Sequence, residues 1–254
     1  MKNPFDLTGQ VAVITGSSRG IGRAIAETMA ALGAKVVVSS RKAEACEEVA
    51  EAIRRAKGQA VVIPCNISRK EEVAALVQGT LKEWGRIDTL VCNAAVNPYF
   101  GPLANITDEA FDKIMGANVK SNLWLCNLAM PEIAKVGGGS VVIVSSIAGL
   151  RGTSMLGAYG ISKAADFGLT RNLAVEWGPK NVRVNCIAPG LVKTDFARAL
   201  WEDETRLKAR LETTPLRRIG EPDDIAGIAA FLASRAAAFM TGEIIVADGG
   251  VTIA

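Results

Sequence analysis

Tyr159 and Lys163 stand four residues apart in GAYGISKAADFGLTRNLAVEWGP, and Ser146 precedes the tyrosine by thirteen. A tyrosine works as an acid–base group only where its phenolate is accessible, and a free phenol has a pKa of about 10. Lowering that by about three pH units takes about 4 kcal/mol. One cation at about 4 Å, in an effective dielectric near 20, supplies roughly that much. Positions i and i+4 share a helix face, so Lys163 can stand beside Tyr159. Ser146 can add a hydroxyl that holds a carbonyl oxygen.

Histidine is absent from the 254 residues. Ser-His-Asp and Cys-His hydrolases and His-ligated zinc sites are thereby excluded. Proton transfer must then use Tyr, Lys, Asp, Glu or Cys, which raises the weight of the Tyr159–Lys163 pair. The five cysteines (Cys46, Cys65, Cys92, Cys126 and Cys186) are widely spaced, with no C-x-x-C pair. They read as small buried hydrophobes in a reducing compartment, and no metal site is expected.

The elements that must position these groups follow from pattern. Val/Ile-rich runs at 10–15, 35–39, 60–64, 87–92, 140–146, 182–188 and 243–248 read as strands buried on both faces. Helical stretches fill the gaps near 21–32, 42–57, 69–84, 107–134, 157–177 and 221–233. This alternation predicts an α/β fold: one doubly wound parallel sheet of the Rossmann type, about seven strands, with helices on both faces. No linker or repeat divides the chain, so 1–254 is expected to be a single dinucleotide-binding and catalytic domain. The amphipathic segment 190–218 breaks the rhythm and is a candidate substrate lid.

After the first strand comes TGSSRGIG: Thr15, Gly16, Ser17, Ser18, Arg19, Gly20, Ile21, Gly22. A strand, a glycine loop and a helix in that order let backbone approach a pyrophosphate and aim a helix N-terminus at it. The spacing is G-x-x-x-G-x-G rather than G-x-G-x-x-G. The second strand ends in Ser39 and Ser40 followed by Arg41, where an acid would bind a ribose 2′-hydroxyl. Two guanidinium groups (Arg19 and Arg41), hydroxyls and no carboxylate suit a 2′-phosphate, hence NADP(H) over NAD.

The net charge is +3 with dispersed basic residues, so no nucleic-acid partner is expected. There is no apolar run of eighteen residues, so no membrane span is expected. The N-terminal stretch MKNPFDLTGQ does not read as a signal peptide.

Together these residues resemble the short-chain dehydrogenase/reductase family, from about Leu7 to Gly250. The resemblance rests on TG-x-x-x-G-x-G at 15–22, Asn93-Ala94-Ala95, Asn118, Ser146, Y-x-x-x-K at 159–163 and Pro189-Gly190. It implies that Tyr159 is the catalytic acid–base. Lys163 would lower the tyrosine pKa and bond the nicotinamide ribose. Ser146 would orient the substrate oxygen, and Asn118 would hold a water linking Lys163 to solvent. Gly16, Ser18, Arg19, Gly20, Ile21, Gly22, Ser40, Arg41, Asn66, Ile67, Asn93, Ala94, Pro189, Gly190, Val192 and Thr194, with Tyr159 and Lys163, would contact the cofactor. Two positions depart from the family pattern. Asn66 stands where the family often has Asp, and Ala95 replaces a usual Gly, which requires φ below zero there.

VVVSSRK, NAAVNP, GGGSVVIVSSIA and RVNCIAPGL are similar to NADPH-dependent carbonyl reductases of the retinal/dicarbonyl-reducing kind. The expected reaction is hydride transfer between NADPH and a medium, largely apolar ketone or aldehyde, reversible with the alcohol. The alternatives are an NAD-dependent alcohol or steroid-type dehydrogenase working in oxidation, and a non-catalytic dinucleotide sensor. Val96, Asn97, Tyr99, Phe100, Leu150, Met155, Leu156, Leu191, Phe196 and Trp201 are candidate substrate contacts; Arg151 could meet an acidic substituent, but a solvent-facing role is the expected one. The resemblance also implies a homotetramer paired through the long helices and last strand. The chain ends GGVTIA, without the peroxisomal tripeptide common in that subgroup, so the cytoplasm is the expected compartment.

Overall fold

The computed structural model describes residues 3–254, the side chain of Arg206 apart. Seven strands form one sheet: β1 (Val11–Thr15), β2 (Lys35–Ser39), β3 (Gln59–Val62), β4 (Thr89–Cys92), β5 (Gly139–Val144), β6 (Val182–Pro189) and β7 (Ile244–Ala247). Their order is β3-β2-β1-β4-β5-β6-β7, and every pairing is parallel. The order reverses between the paired strands β1 and β4, so the connections leaving them run in opposite directions and leave a crevice at their carboxyl ends.

Alternating side chains divide the Val/Ile runs between two cores. Ile14, Val36, Val38, Val91 and Val142 face α1 (Gly20–Ala31), α2 (Ala43–Arg55) and α8 (Pro222–Ala233). Val13, Val37, Leu90, Val141 and Ile143 face α3 (Lys70–Trp84), α5 (Ser121–Lys135) and α6 (Gly157–Trp177). A two-sided burial of this kind requires unbroken apolar strands. All five cysteines are buried and free, as their isolation along the chain suggests.

The single helix expected over 107–134 is interrupted. Thr107 caps α4 (Asp108–Met115), a π-helical turn spans Gly116–Lys120, and α5 follows. The bulge carries Asn118, whose side chain bonds outside the helix. β3 also ends before Pro64, which has no N–H to donate to a ladder. The segment 190–218 contains a 3-10 run, Asp195–Leu200, and helix α7 (Glu204–Thr213).

Candidate active site

The crevice begins at the end of β1. Gly16 has φ +67°, and a Cβ there would stand 2.9 Å from Ala94 Cα; one on Gly22 would stand 2.4 Å from the Gly16 carbonyl. Glycine is therefore required at both positions for the loop to fold against α1. Thr15 Oγ1 accepts from the Asn93 and Ala94 amides at 3.1 and 3.2 Å, and Asn93 Nδ2 donates to the Thr15 carbonyl at 2.9 Å. These bonds join the two strand ends that flank the crevice. Arg19 precedes α1 without a side-chain cap, so the amides of the first turn, at Gly20, Ile21 and Gly22, have no side-chain acceptor from the N-cap. A backbone cradle and an uncapped helix N-terminus together fit a dinucleotide diphosphate.

Ser18 and Gly20 continue this loop, and Thr194 closes over it. A Cβ on Gly20 would lie 3.1 Å from Thr194 Cγ2. Arg19 reaches Asp195 at 3.4 Å, though it is 68% exposed. Ser40 Oγ meets Cys46 Sγ at 3.1 Å, Arg41 is exposed, and the buried Ser39 Oγ has no protein partner. Asn66 Oδ1 already accepts from the Ser68 amide at 3.1 Å, and Ile67 is buried behind it. Gly190 lies so close to Asp248 that a Cβ would stand 2.7 Å from its Cα. Its neighbours Pro189 and Val192 are buried at the same end of β6. Ala95 is not among the positive-φ residues, so its Cβ is tolerated.

Across the crevice, Ser146 ends the β5 connection and opens a short turn, 147–149, by accepting from the Ala148 amide at 3.1 Å. That turn lies directly on α6. A Cβ on Gly149 would meet Lys163 C at 2.7 Å, and one on Gly160 would meet the Ala148 carbonyl at 2.7 Å. Two glycines thus set the spacing between Ser146 and the helix bearing Tyr159 and Lys163. Lys163 Nζ sits 5.7 Å from the centre of the Tyr159 ring. The Phe196 ring packs against the tyrosine in a tilted pair, with centroids 6.1 Å apart.

Lys163 is 2% exposed and donates to the Val144 carbonyl at 3.0 Å and to Asp166 Oδ2 at 3.2 Å. Asp166 Oδ1 accepts from Asn122 Nδ2 at 3.0 Å, and that same amide donates to the Asn118 carbonyl at 2.7 Å. Asn118 uses its side chain on the Val96 peptide (2.8 and 3.0 Å) and on Ser162 Oγ (3.0 Å). Ser162 in turn donates to the Tyr159 carbonyl at 2.7 Å. The π-turn, the 93–97 loop and α6 are therefore one hydrogen-bonded unit. Sequence reasoning found Tyr159, Lys163, Ser146 and Asn118, but not Asp166 or Asn122. The one available signal was Asp166 lying three residues after Lys163, on the same helix face.

This carboxylate changes the electrostatics expected from the lysine alone. Burial raises the Tyr159 pKa above the usual phenol value, Lys163 lowers it, Asp166 raises it again, and a hydrogen bond with Ser146 lowers it. The net direction is upward, against the expected fall, because burial outweighs the pull of the lysine and the Asp166 carboxylate adds to the rise. Lys163 is itself held protonated above its ordinary range: burial opposes the charge, but Asp166 and Tyr159 outweigh it. Cys186, pushed up to about 12 by burial, and Cys92, raised by Cys126 and by burial, stay neutral beside the pair.

Comparison with known proteins identifies the family. A family model described as enoyl-(acyl carrier protein) reductase matches residues 16–252. The human protein called dehydrogenase/reductase SDR family member 4 is 45% identical over 247 residues, 96% of this chain and 88% of its own length. A 7α-hydroxysteroid dehydrogenase, solved with NADH and 7-oxo glycochenodeoxycholic acid, is 38% identical with a TM-score of 0.94, covering 98% of each chain. A putative NAD(P)-dependent gluconate 5-dehydrogenase from Beutenbergia cavernae, solved with NADP, is 33% identical with a TM-score of 0.94 over 99% of this chain and 100% of its own. With its seven-stranded parallel sheet, glycine loop and Tyr159–Lys163 pair, the chain belongs to the short-chain dehydrogenase/reductase family of oxidoreductases.

Proposed function

We propose that this oxidoreductase is an NADP(H)-dependent carbonyl reductase acting on medium, largely apolar ketones or aldehydes. The observation that carries the reading is the assembly of Ser146, Tyr159 and Lys163 beside a glycine loop fitted to a diphosphate. Gly16, Ser18, Gly20, Ile21 and Gly22 would hold the diphosphate. Ser40, Arg41 and Arg19 would meet a 2′-phosphate, and Asn66 and Ile67 the adenine. Asn93, Ala94, Pro189, Gly190, Val192 and Thr194 would line the nicotinamide half. When bound, the nicotinamide supplies the hydride for reduction.

Tyr159 keeps its proton at neutral pH and can give it to the oxygen of a carbonyl compound; Ser146 donates a second hydrogen bond there. Charge develops on that oxygen in the transition state, so donors fixed beside it lower the barrier. Lys163 has a third N–H free for the cofactor ribose, and Asn118 fixes the loop that faces it. The 190–218 segment serves as a lid, with Phe196 already on Tyr159. Human dehydrogenase/reductase SDR family member 4, similar along nearly the whole chain, supports the reductase reading. The hydroxysteroid dehydrogenase solved with NADH supports the second reading, an NAD-dependent oxidation of alcohols.

A homotetramer fits the exposed apolar side chains on the outer faces of α5 and α6 (Leu123, Ile161 and Val175) and on the edge strand β7 (Val246). Light scattering measures that assembly directly, and a monomer would remove it. A reducing compartment such as the cytoplasm fits five unpaired cysteines. Among the described residues, no helix is long and apolar enough to cross a membrane.

The decisive experiment is NADPH oxidation with a ketone panel by wild type and Tyr159→Phe. Loss of the general acid is expected to lower kcat by about 10²–10⁴-fold while NADPH still binds. Full turnover by Tyr159→Phe would refute the mechanism.

A further inference from the structure

Between the segment after Ser146 and the 190–218 region lies a cavity of about 390 Å³ whose lining includes Phe100, Arg151, Leu200, Arg210, Val251 and Ala254. Its walls lead away from the reacting groups. Leu150 and Arg151 follow directly on the turn that Ser146 opens. Leu200 ends the 3-10 run that begins beside Phe196, the ring lying on Tyr159. A molecule with its carbonyl at Tyr159 and an apolar body along Phe196 would extend its far end into this space.

The chemistry of that far end is set by two guanidinium groups. Arg210, on α7, is half-buried, and Arg151, which lines the same cavity, is exposed. Arg198 and Arg218, on either side of α7, are ion-paired with Asp195 and Asp224. Arg151 and Arg210 have no such partner: among the described residues, no carboxylate lies within ion-pair distance of either. Asp248 feels the Arg151 charge, the smallest of the influences on its carboxyl, but its two oxygens already accept from the Gly250 and Thr252 amides at 2.8 Å each. Arg151 has a single long contact, 3.5 Å, with the Val251 carbonyl. Burial and the neighbouring Arg151 charge both disfavour the cation on Arg210. An anion between the two would relieve both penalties, and guanidinium forks suit a carboxylate.

We infer that Arg151 and Arg210 form an anion subsite, and that the preferred substrate is an apolar carbonyl compound bearing a carboxylate at the end remote from the reacting carbon. This rests on the reductase reading above, and it names the substrate class for the same site. Thr213 and Ala254 also line the cavity, and Asp248 interacts with Arg151 electrostatically without forming an ion pair among the described residues.

The test compares aryl keto acids with their primary amides, matched in size, as substrates with NADPH. Wild type is expected to favour the acid in kcat/KM by about tenfold or more, the worth of one charge-assisted hydrogen bond. The preference should sit in KM and weaken as salt is raised. Arg210→Met should bring the acid-to-amide ratio down about tenfold, and the exposed Arg151→Met, which leaves the core untouched, should lower it in the same direction. A wild-type ratio near one, or a ratio that neither substitution moves, overturns the inference. If no carbonyl compound is reduced at all, the reductase reading fails, and calorimetry with 4-phenylbutanoate against its amide still reads the subsite. Tighter binding of the carboxylate, lost in Arg210→Met, supports it; equal binding of the two overturns it.

Discussion

Lys163 Nζ lies 3.2 Å from Asp166 Oδ2, with both side chains sealed from solvent. The ammonium has three N–H groups; Val144 and Asp166 take two of them. A lysine alone would lower the neighbouring phenol, but a lysine with a buried counter-ion lowers it less. Burial, with this counter-ion adding to it, holds Tyr159 protonated at neutral pH, the form that the proposed reduction requires.

Asp166→Asn keeps the shape and removes the charge. The groups facing the site are Tyr159 and Lys163 on α6, Cys186 on β6, Cys92 on β4 and Cys126 on α5, so Asp166 supplies the negative charge that opposes the phenolate. In the alcohol-oxidising direction, where the phenolate is the active form, the rising limb of the pH–rate profile should move to lower pH. A limb that stays in place would show that Asp166 does not act on Tyr159. Stability should fall by about 3–5 kcal/mol, because a buried cation loses its partner.

Arg41 is exposed and Arg19 mostly so, and neither supports the core. Arg41→Ala should weaken NADPH binding by about tenfold, the worth of one charge-assisted bond, and leave NADH binding unchanged. Fluorescence titration with both nucleotides reads the difference. Unchanged NADPH affinity in both Arg41→Ala and Arg19→Ala would shift the reading to NAD-dependent oxidation.

Gly149→Ala introduces a methyl 2.7 Å from the backbone of Lys163 and Ala164. Backbone cannot swing aside, so the Ser146 turn must move off α6. We expect a stability loss of about 1–3 kcal/mol by chemical denaturation, with kcat lowered more than cofactor affinity. Equal loss of both would mean a general rather than a local disturbance.

Stability should narrow at both pH extremes. Cys65 is raised to about 11 and Cys186 to about 12, and Tyr159 is also raised, so the fold favours their protonated forms. Their contribution is complete below the unfolded values, near 9 for thiols, and is lost as pH climbs through 9 to 12. Each pH unit between a thiol's unfolded value and its own raised value, about 11 for Cys65 and about 12 for Cys186, withdraws about 1.4 kcal/mol. On the acid side Asp224, bonded to Arg218 and the Glu221 amide, is lowered to about 2. Its contribution is present above about 3.8 and disappears as pH falls through 2. Denaturant midpoints measured from pH 2 to 12 check both limbs; a flat profile above pH 9 would contradict the burial of the thiols.

The sequence by itself determined the sheet, because strands buried on both faces must be apolar along their whole length. It determined the glycine loop, because a Cβ at Gly16 or Gly22 has nowhere to go. It also determined the pairing of Tyr159 with Lys163, because both lie on one helix with fixed periodicity. Tertiary structure alone decided what surrounds that pair. Asp166 becomes a partner only because α6 is buried, so that a charge normally solvated must find a counter-ion. Asn122 and Asn118 come from another helix, and the π-turn that aims Asn118 is paid for by bonds to Val96 and Ser162, forty-four residues away in the last case. The joining of Arg151 to Arg210 depends on two segments fifty-nine residues apart lining one cavity. Such relationships join distant segments through packing, and no local spacing encodes them.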